Sequence, residues 1–186
     1  MNPQHTIRQK GARLKVLPHD FIVIDVETTG LNPLTDELIE LAALKVINHR
    51  IEDSFQTLVK PLWPISGFIT GINGISNDMV KDSPPIADVL PAYLEFIGDG
   101  ILFGHNVNFD IRFISEACFV LGLSPFTNDY VDMLPLSRRA YRDFPNHRLS
   151  TLIEAFGIKA DCFHRALADC ESTFRCYEYM LNDLAL

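Results

Sequence analysis

The stretch that organises this sequence is Phe-Ile-Val-Ile-Asp-Val-Glu-Thr-Thr-Gly at residues 21–30. Its four leading apolar residues predict a buried β-strand. Side chains two residues apart on a strand point to the same face, so Asp25 and Glu27 are expected to lie side by side. Adjacent carboxylates repel each other unless a cation lies between them, and hard oxygen ligands favour Mg²⁺ or Mn²⁺. The stretch therefore indicates a metal site. If Asp-x-Glu is taken alone, the alternative to a metal site is an acidic strand end that caps a turn.

Strand and helix patterns on either side of this stretch indicate an α/β fold. The candidates are strands at 37–47, 54–59, 101–103 and 130–131 and helices at 86–97, 108–121, 132–141, 149–156 and 165–181. The first three strands follow one another directly, which is typical of a meander. Strands followed by interleaved helices predict a mixed sheet covered by helices.

Length and composition indicate one folded domain. The chain has 186 residues, of which 47% are hydrophobic and 22% charged. Its longest stretch without a charged side chain, residues 61–77, is interrupted by Pro, Gly, Ser and Asn, so we expect a loop there rather than a transmembrane helix. The N-terminus lacks the apolar run of a secretory signal. We therefore expect a cytoplasmic protein that does not bind membranes.

The charge balance bears on the kind of partner. The net charge of −8, from 16 basic and 24 acidic residues, ordinarily disfavours nucleic acid, because phosphate binding relies on Lys and Arg. That objection weakens if some carboxylates hold divalent metal ions. Residues 1–19 are basic and have no hydrophobic period. We predict a flexible arm there, which either contacts nucleic acid or is a linker remnant, followed by one folded domain over residues 20–186.

The four cysteines contain no C-x-x-C pair and are predicted to be free thiols in a reducing compartment. They are Cys118, Cys162, Cys170 and Cys176. The same spacing argues against a zinc site built from Cys162, His164 and Cys170.

Two further segments place acidic residues at helix starts. Asp110 ends His-Asn-Val-Asn-Phe-Asp at 105–110, in a predicted first helical turn where a single Asp commonly serves only the helix dipole. His164 and Asp169 are five residues apart, which on a helix is roughly 140° off the same face. We therefore expect His164 on a loop and Asp169 pointing inward from the helix that follows.

In this order, the three motifs resemble those of the DEDDh family of 3′→5′ exonucleases, which includes bacterial DNA polymerase III proofreading domains and ribonuclease T. The resemblance extends over about residues 21–180. It implies a ribonuclease H-like α/β fold, a mixed five-stranded sheet flanked by helices in a single domain, with two Mg²⁺ or Mn²⁺ ions. It also implies that the metal ligands are Asp25, Glu27, Asp110 and Asp169 and that His164 is the general base.

The same resemblance suggests residues that contact substrate: Thr28, Thr29, Leu31, Asn73, Ile75, His105, Asn106 and Phe109. In the family, the segment of Thr28 and Thr29 lies at the 3′ hydroxyl of the terminal nucleotide, although turn chemistry explains Thr29 equally well. Leu31, Ile75 and Phe109 are candidates to wedge or stack on terminal bases. His105 and Asn106 more often order their loop, and Asn73 departs from the His or Thr that the family often has.

The expected function is metal-dependent 3′→5′ removal of nucleoside 5′-monophosphates from single-stranded DNA, as in proofreading. RNA 3′-end trimming is the main alternative. A non-catalytic nucleic-acid-binding module on the same fold is a further alternative, which the complete set of acidic residues and the histidine disfavours. The expected partners are DNA or RNA 3′ ends and a DNA polymerase subunit. The oligomeric state, and whether the chain acts alone or within a larger protein, stay open.

Overall fold

A central β-sheet organises the protein, whose computed structural model describes residues 11–15, 18–159 and 165–184. Its five strands are β1 (Phe21–Thr28), β2 (Leu38–Ile47), β3 (Arg50–Leu58), β4 (Leu102–Gly104) and β5 (Tyr130–Asp132). They lie in the order β3-β2-β1-β4-β5. The first three strands are antiparallel, whereas β4 and β5 run parallel to β1. The predicted mixed five-stranded sheet is therefore confirmed.

The hairpin between β2 and β3 explains why the third strand begins before the predicted residue 54. Asn48 and His49 both have positive φ, 48° and 60°, as a two-residue type I′ turn requires. The turn places Arg50 opposite Ile47, so pairing starts at once. The first five residues of β3 are exposed and carry no apolar alternation, which is the signal on which strand prediction depends.

Seven helices cover the sheet in the described part of the chain. They are α1 (Gly67–Asn73), α2 (Asn77–Val80), α3 (Ile86–Ile97), α4 (Asn108–Val120), α5 (Met133–Ala140), α6 (Leu149–Ala155) and α7 (Ala166–Leu184). Helices α3 and α4 pack with Ile22 and Ile24 of β1. Helices α5, α6 and α7 pack with Phe21 and Val23, on the opposite face. The sheet thus lies between two helical layers, as the interleaved pattern predicts.

The uncharged segment at residues 61–77, predicted as a loop, contains α1 and the start of α2, so that prediction is wrong in part. The Ser66 side chain accepts a hydrogen bond from the N–H of Ile69 and caps the start of α1, and Gly74, with a φ of 71°, caps its end. Ser76 caps α2 in the same way. The Ser and Gly residues that indicate a loop here serve as helix caps.

Part of the segment predicted as a flexible arm is paired with the sheet. Leu14 donates its backbone N–H to the carbonyl of Tyr130 at 2.7 Å, and Tyr130 donates to Ala12 at 3.0 Å. Leu14 also packs against the core. The structure differs from the prediction at residues 12–14 because the edge of β5 offers unpaired backbone groups, which a side-chain pattern does not reveal. The domain boundary near residue 20 stays a prediction.

The described cysteines are free and buried, as predicted, and they are Cys118, Cys170 and Cys176. Cys162 lies outside the described residues. Among the helices in the described ranges, none combines the length and the hydropathy needed to cross a bilayer. The cytoplasmic location stays a prediction.

Candidate active site

Three carboxylates converge where β1 ends. Asp25 and Glu27 continue the odd-numbered face of β1 that starts with Phe21 and Val23, and this is the face that α7 covers. Asp169 lies in the first turn of α7 and is almost fully buried. One carboxylate oxygen from each of Asp25, Glu27 and Asp169 lies within 4.8 Å of the other two. The arrangement can hold a cation between strand and helix.

Asp110 approaches the same strand from α4, whose first turn it occupies. Its carboxyl group is buried, and its Oδ1 accepts a hydrogen bond from the backbone N–H of Val26 at 3.0 Å. Asp110 is not one of the three residues within 4.8 Å of one another. The bond to Val26 nevertheless holds it beside the residue that separates Asp25 from Glu27.

Burial and mutual repulsion favour the protonated forms of these acids. Burial raises the pKa of Asp25 well above its ordinary value, and the charges of Asp110 and Asp169 raise it further. Burial likewise raises the pKa of Asp110 well above its ordinary value. The pKa of Glu27 rises to about 7, mainly through burial, against the opposing effect of a hydrogen bond from Asn73. A divalent cation between these groups would offset both the desolvation and the repulsion.

The chemistry of this donor set fits Mg²⁺ or Mn²⁺. The three converging groups all offer carboxylate oxygen, the ligand that hard divalent cations prefer. Their crowding in a largely buried position has an electrostatic cost that a bound ion would remove. The residues present therefore suit a hard divalent ion, and the ligand assignments themselves stay predictions.

Asn73 links the site to α1, of which it is the last residue. Its Nδ2 donates a hydrogen bond to Oε2 of Glu27 at 3.2 Å, and its Oδ1 accepts one from the N–H of Ile75 at 3.0 Å. The Asn73 side chain is buried. Its described role is therefore to orient a candidate metal ligand, while the predicted contact with substrate is untested.

A buried ion pair behind the site has no counterpart among the sequence predictions. Glu40 of β2 lies opposite Glu27 in the strand pairing and is fully buried. Its carboxylate accepts hydrogen bonds from Nε and Nη2 of Arg165 at 3.1 and 2.9 Å and from the backbone N–H of Ala166 at 3.1 Å. Glu40 thus ties the start of α7, one turn before Asp169, to the sheet.

The sequence did contain a signal for Glu40. It stands in the apolar run Leu-Ile-Glu-Leu-Ala-Ala-Leu at residues 38–44, at the same alternate positions as Ala42 and Leu44, which face the core. A carboxylate at an inward position of a strand needs a buried partner. Arg165 supplies it, immediately after the predicted general base His164, which lies outside the described residues.

The two threonines after Glu27 make turn contacts. Oγ1 of Thr28 donates to the carbonyl of Gly30 at 2.6 Å. Oγ1 of Thr29 accepts from the N–H of Glu37 at 2.9 Å, and the N–H of Thr29 donates to the Glu37 carbonyl at 2.9 Å. Turn chemistry is therefore present at both positions, and their contact with a terminal nucleotide stays a prediction.

The three apolar residues predicted to contact bases occupy different environments. Leu31 is 81% exposed just after β1, and Phe109 is half-buried against the core. Ile75 is fully buried in a small cluster with Ile39 and Val80. Its side chain packs into the core, and contact of Ile75 with a terminal base stays a prediction.

His105 and Asn106 form the connection between β4 and α4. Asn106 adopts a left-handed conformation with φ of 63°, which Asn tolerates better than most residues. Its N–H donates to Oδ1 of Asp132 at 2.9 Å, and the same oxygen accepts from the N–H of Leu134 at 3.0 Å. Burial lowers the pKa of His105 below its ordinary value. Asn106 thus orders its loop, while substrate contact by either residue is untested.

Comparison with protein families identifies the class that this fold and site define. A family model described as an exonuclease, RNase_T, matches residues 22–177, which is most of the chain. The chain therefore belongs to this exonuclease family, and the family identification made from the motifs is confirmed.

Two curated relatives are DNA polymerases of one type. The PolC-type DNA polymerase III of Caldanaerobacter subterraneus subsp. tengcongensis is 45% identical over 168 residues, which cover 90% of this chain. The PolC-type DNA polymerase III of Bacillus subtilis is 42% identical over 166 residues. In both cases the match covers 12% of the relative, so the chain spans about an eighth of the length of these polymerases.

Solved structures support the same fold. Exonuclease X in complex with 5′-overhanging duplex DNA is 28% identical, with a TM-score of 0.71, and the match covers 89% of this chain and 93% of that one. A zinc-bound complex of Escherichia coli exonuclease I with single-stranded DNA has a TM-score of 0.82 at 20% identity and covers 91% of this chain and 42% of that one. The ribonuclease H-like fold is confirmed.

Proposed function

We propose that the chain is a metal-dependent 3′→5′ exonuclease domain that removes nucleoside 5′-monophosphates from single-stranded DNA. One observation carries the proposal: in a chain of the exonuclease family, Asp25, Glu27 and Asp169 bring three carboxylate oxygens within 4.8 Å of one another. A protein that used its fold only to bind nucleic acid would have no need to bury a repelling set of acids next to its ligand.

The metal ligands in this proposal are Asp25, Glu27, Asp110 and Asp169, which would hold two Mg²⁺ or Mn²⁺ ions. When bound, such ions stabilise the charge that develops on the phosphoryl oxygens and the leaving 3′ oxygen. The chain's own contribution is to hold the ligands in place. Asn73 orients the Glu27 carboxylate, and the bond from Val26 orients that of Asp110.

We assign the proton transfer to His164, which would accept the proton of the attacking water. Arg165 and Ala166, the two residues that follow His164, both donate hydrogen bonds to Glu40. These bonds fix the chain directly after the histidine, and they also fix the first turn of α7, which carries Asp169. A base and a metal ligand would then share one anchor, which favours a constant distance between them.

DNA as the substrate is supported by the relatives. Two of them are DNA polymerases, and the structure at 28% identity contains duplex DNA with a 5′ overhang. We therefore propose a proofreading role with a DNA polymerase as the partner, in keeping with the chain's match to one short part of the PolC-type enzymes.

A degradation time course tests this function. Single-stranded DNA and RNA of the same sequence, each labelled at the 5′ end, are incubated side by side with the protein and Mg²⁺. We expect stepwise shortening of the DNA at a rate well above that of the RNA. Faster shortening of the RNA would assign the domain to RNA trimming, and no shortening of either would leave a binding module.

A further inference from the structure

Large apolar side chains are exposed in the segment between β3 and α2. We define the apolar platform as Leu62, Trp63, Phe68 and Ile72. Trp63 and Phe68 are 75% and 76% exposed. Four exposed large apolar side chains in one short segment make that segment a candidate binding surface.

One end of the apolar platform is anchored to the candidate active site through Glu37. The Glu37 carboxylate accepts hydrogen bonds from the backbone N–H groups of Leu62 at 2.9 Å and Trp63 at 3.3 Å. The backbone of Glu37 is bonded in turn to Thr29, two residues beyond the candidate ligand Glu27. Leu62 and Trp63 therefore lie next to the segment that follows the site.

The other end is anchored through α1. Phe68 and Ile72 are four residues apart on this helix, so they share one of its faces. Asn73, the next residue, donates its hydrogen bond directly to Glu27. Both halves of the apolar platform thus connect to the end of β1, one through Glu37 to Thr29, just after the strand, and the other through Asn73 to Glu27 within it.

The lack of charged residues in the segment that carries the apolar platform indicates what kind of ligand suits this surface. No residue between 61 and 77 is charged, although the chain as a whole has a net charge of −8. The segment itself therefore adds no carboxylate that would repel a polyanion such as a single strand of nucleic acid, and the neighbouring Glu37 carboxylate is bonded to the backbone N–H groups of Leu62 and Trp63. Its bases offer flat, uncharged faces that stack on aromatic rings whatever the sequence.

We propose that the apolar platform stacks on unpaired bases of the single-stranded substrate, upstream of its 3′-terminal nucleotide, an inference that rests on the exonuclease function proposed above. The small number of side chains in the apolar platform, four, favours this occupant over a folded partner. A stable protein interface takes about 20–30 residues and ~800 Å² from each side, whereas one aromatic ring suffices for one base. The apolar platform would thereby hold the upstream part of the strand in place while its 3′ end lies at the carboxylates.

Steady-state kinetics with substrates of two lengths test the proposal. In Mg²⁺, Trp63→Ala and Phe68→Ala are each expected to raise KM for an oligonucleotide of about 12 nucleotides by roughly 10-fold, with kcat unchanged. The KM for a dinucleotide, which is too short to reach the apolar platform, should not change. Trp63→Phe keeps a ring and should restore most of the affinity.

Phe119→Ala is the matched control, because Phe119 is also a largely exposed phenylalanine but lies on α4. It is expected to leave both KM values at the wild-type level. Since all three aromatic residues lie mainly in solvent, their loss removes little packing from the core. Equal effects of all three alanine variants would show a general change of stability and would overturn the proposal.

Fluorescence gives a second readout, because Trp63 is the only tryptophan in the chain. On rapid mixing with the oligonucleotide in Mg²⁺, we expect quenching of its emission, followed by recovery as the strand is digested. A strand with abasic sites upstream of the 3′ end should be digested with little quenching.

The outcomes separate the apolar platform from the exonuclease function. Digestion without quenching, together with an unchanged KM in Trp63→Ala and Phe68→Ala, would overturn the proposal that the apolar platform stacks on bases. The exonuclease function would remain. The absence of any digestion would overturn the exonuclease function itself. The wild type could also self-associate in a concentration-dependent way that is lost when Trp63→Ala and Phe68→Ala are combined. If KM were unchanged in that double variant, the surface would be assigned to a second copy of the chain and the proposal would be overturned.

Discussion

Glu27→Gln should change how the stability of the metal-free protein depends on pH. Burial raises the pKa of Glu27 from its ordinary value of 4.5 to about 7, and the charge of Asp169 adds to this effect. Between these two pH values the folded protein holds a proton that the unfolded chain has released. Because the folded state binds more protons there, its stability must fall as the pH rises from 4.5 through 7.

The magnitude follows from the two pKa values. Each pH unit of difference corresponds to about 1.4 kcal/mol, so the full effect of Glu27 is ~3 kcal/mol. Between pH 5 and pH 8, where most of this change occurs, we expect a loss of about 2–3 kcal/mol in the free energy of unfolding. Asp25 and Asp110, whose pKa values are also raised by burial, contribute in the same direction. Glutamine has no proton to release, so the variant should lose less stability than the wild type by the amount due to Glu27.

Urea unfolding in excess EDTA at pH 5 and pH 8 measures this difference. The comparison of wild type with Glu27→Gln cancels the titration of groups elsewhere, including His105, whose lowered pKa acts in the opposite direction. Saturating Mg²⁺ at pH 8 should restore the lost stability in the wild type and restore less in the variant, because an ion that binds only the folded state stabilises it. A wild type that lost no more stability than the variant would refute the account of a crowded, desolvated carboxylate at Glu27.

Three further variants test other parts of the site. Asp110→Asn should reduce hydrolysis in Mg²⁺ by at least about 100-fold. The EDTA-treated variant should be as stable as the wild type or more stable, since the substitution relieves repulsion among the carboxylates. Near-normal activity at saturating Mg²⁺ would exclude Asp110 as a ligand. Glu40→Ala should lower the free energy of unfolding by about 2 kcal/mol and weaken metal-dependent stabilisation, because Arg165 and the first N–H of α7 lose their partner. Calorimetry with and without Mg²⁺ measures both effects, and an unchanged melting temperature would contradict them. His164→Ala should lower the hydrolysis rate by a factor of about 10²–10⁴ and abolish the rise of the rate with pH over the range in which histidine titrates. Mg²⁺ should still stabilise the variant. A pH–rate profile like that of the wild type would assign the base elsewhere.

The sequence predicted the elements whose periodicity is strong. The apolar run before Asp25 and the alternation that places Asp25 and Glu27 on one face are both present in β1. The two hydrophobic clusters on either side of the sheet likewise follow from apolar positions repeated every two or every three to four residues.

The predictions were wrong where the same residue types occur in two kinds of local structure, or where the contacts involve only the backbone. Ser66 and Gly74 are typical of loops and equally typical of helix caps, and in the structure they cap α1. The pairing of Leu14 with Tyr130 depends on backbone groups alone, which no pattern of side chains encodes. Glu40 went unrecognised because its partner Arg165 lies 125 residues away in the sequence.

The measurement that tests the central claim most directly is the digestion of 5′-labelled linear single-stranded DNA beside a circular strand of the same composition. With Mg²⁺, we expect the linear strand to shorten one nucleotide at a time from its 3′ end and to release monophosphates. The circle should stay intact, and EDTA should stop the reaction. Full hydrolysis in excess EDTA would contradict the role given to Asp25, Glu27, Asp110 and Asp169. Cleavage of the circle as fast as the linear strand would contradict the exonuclease itself.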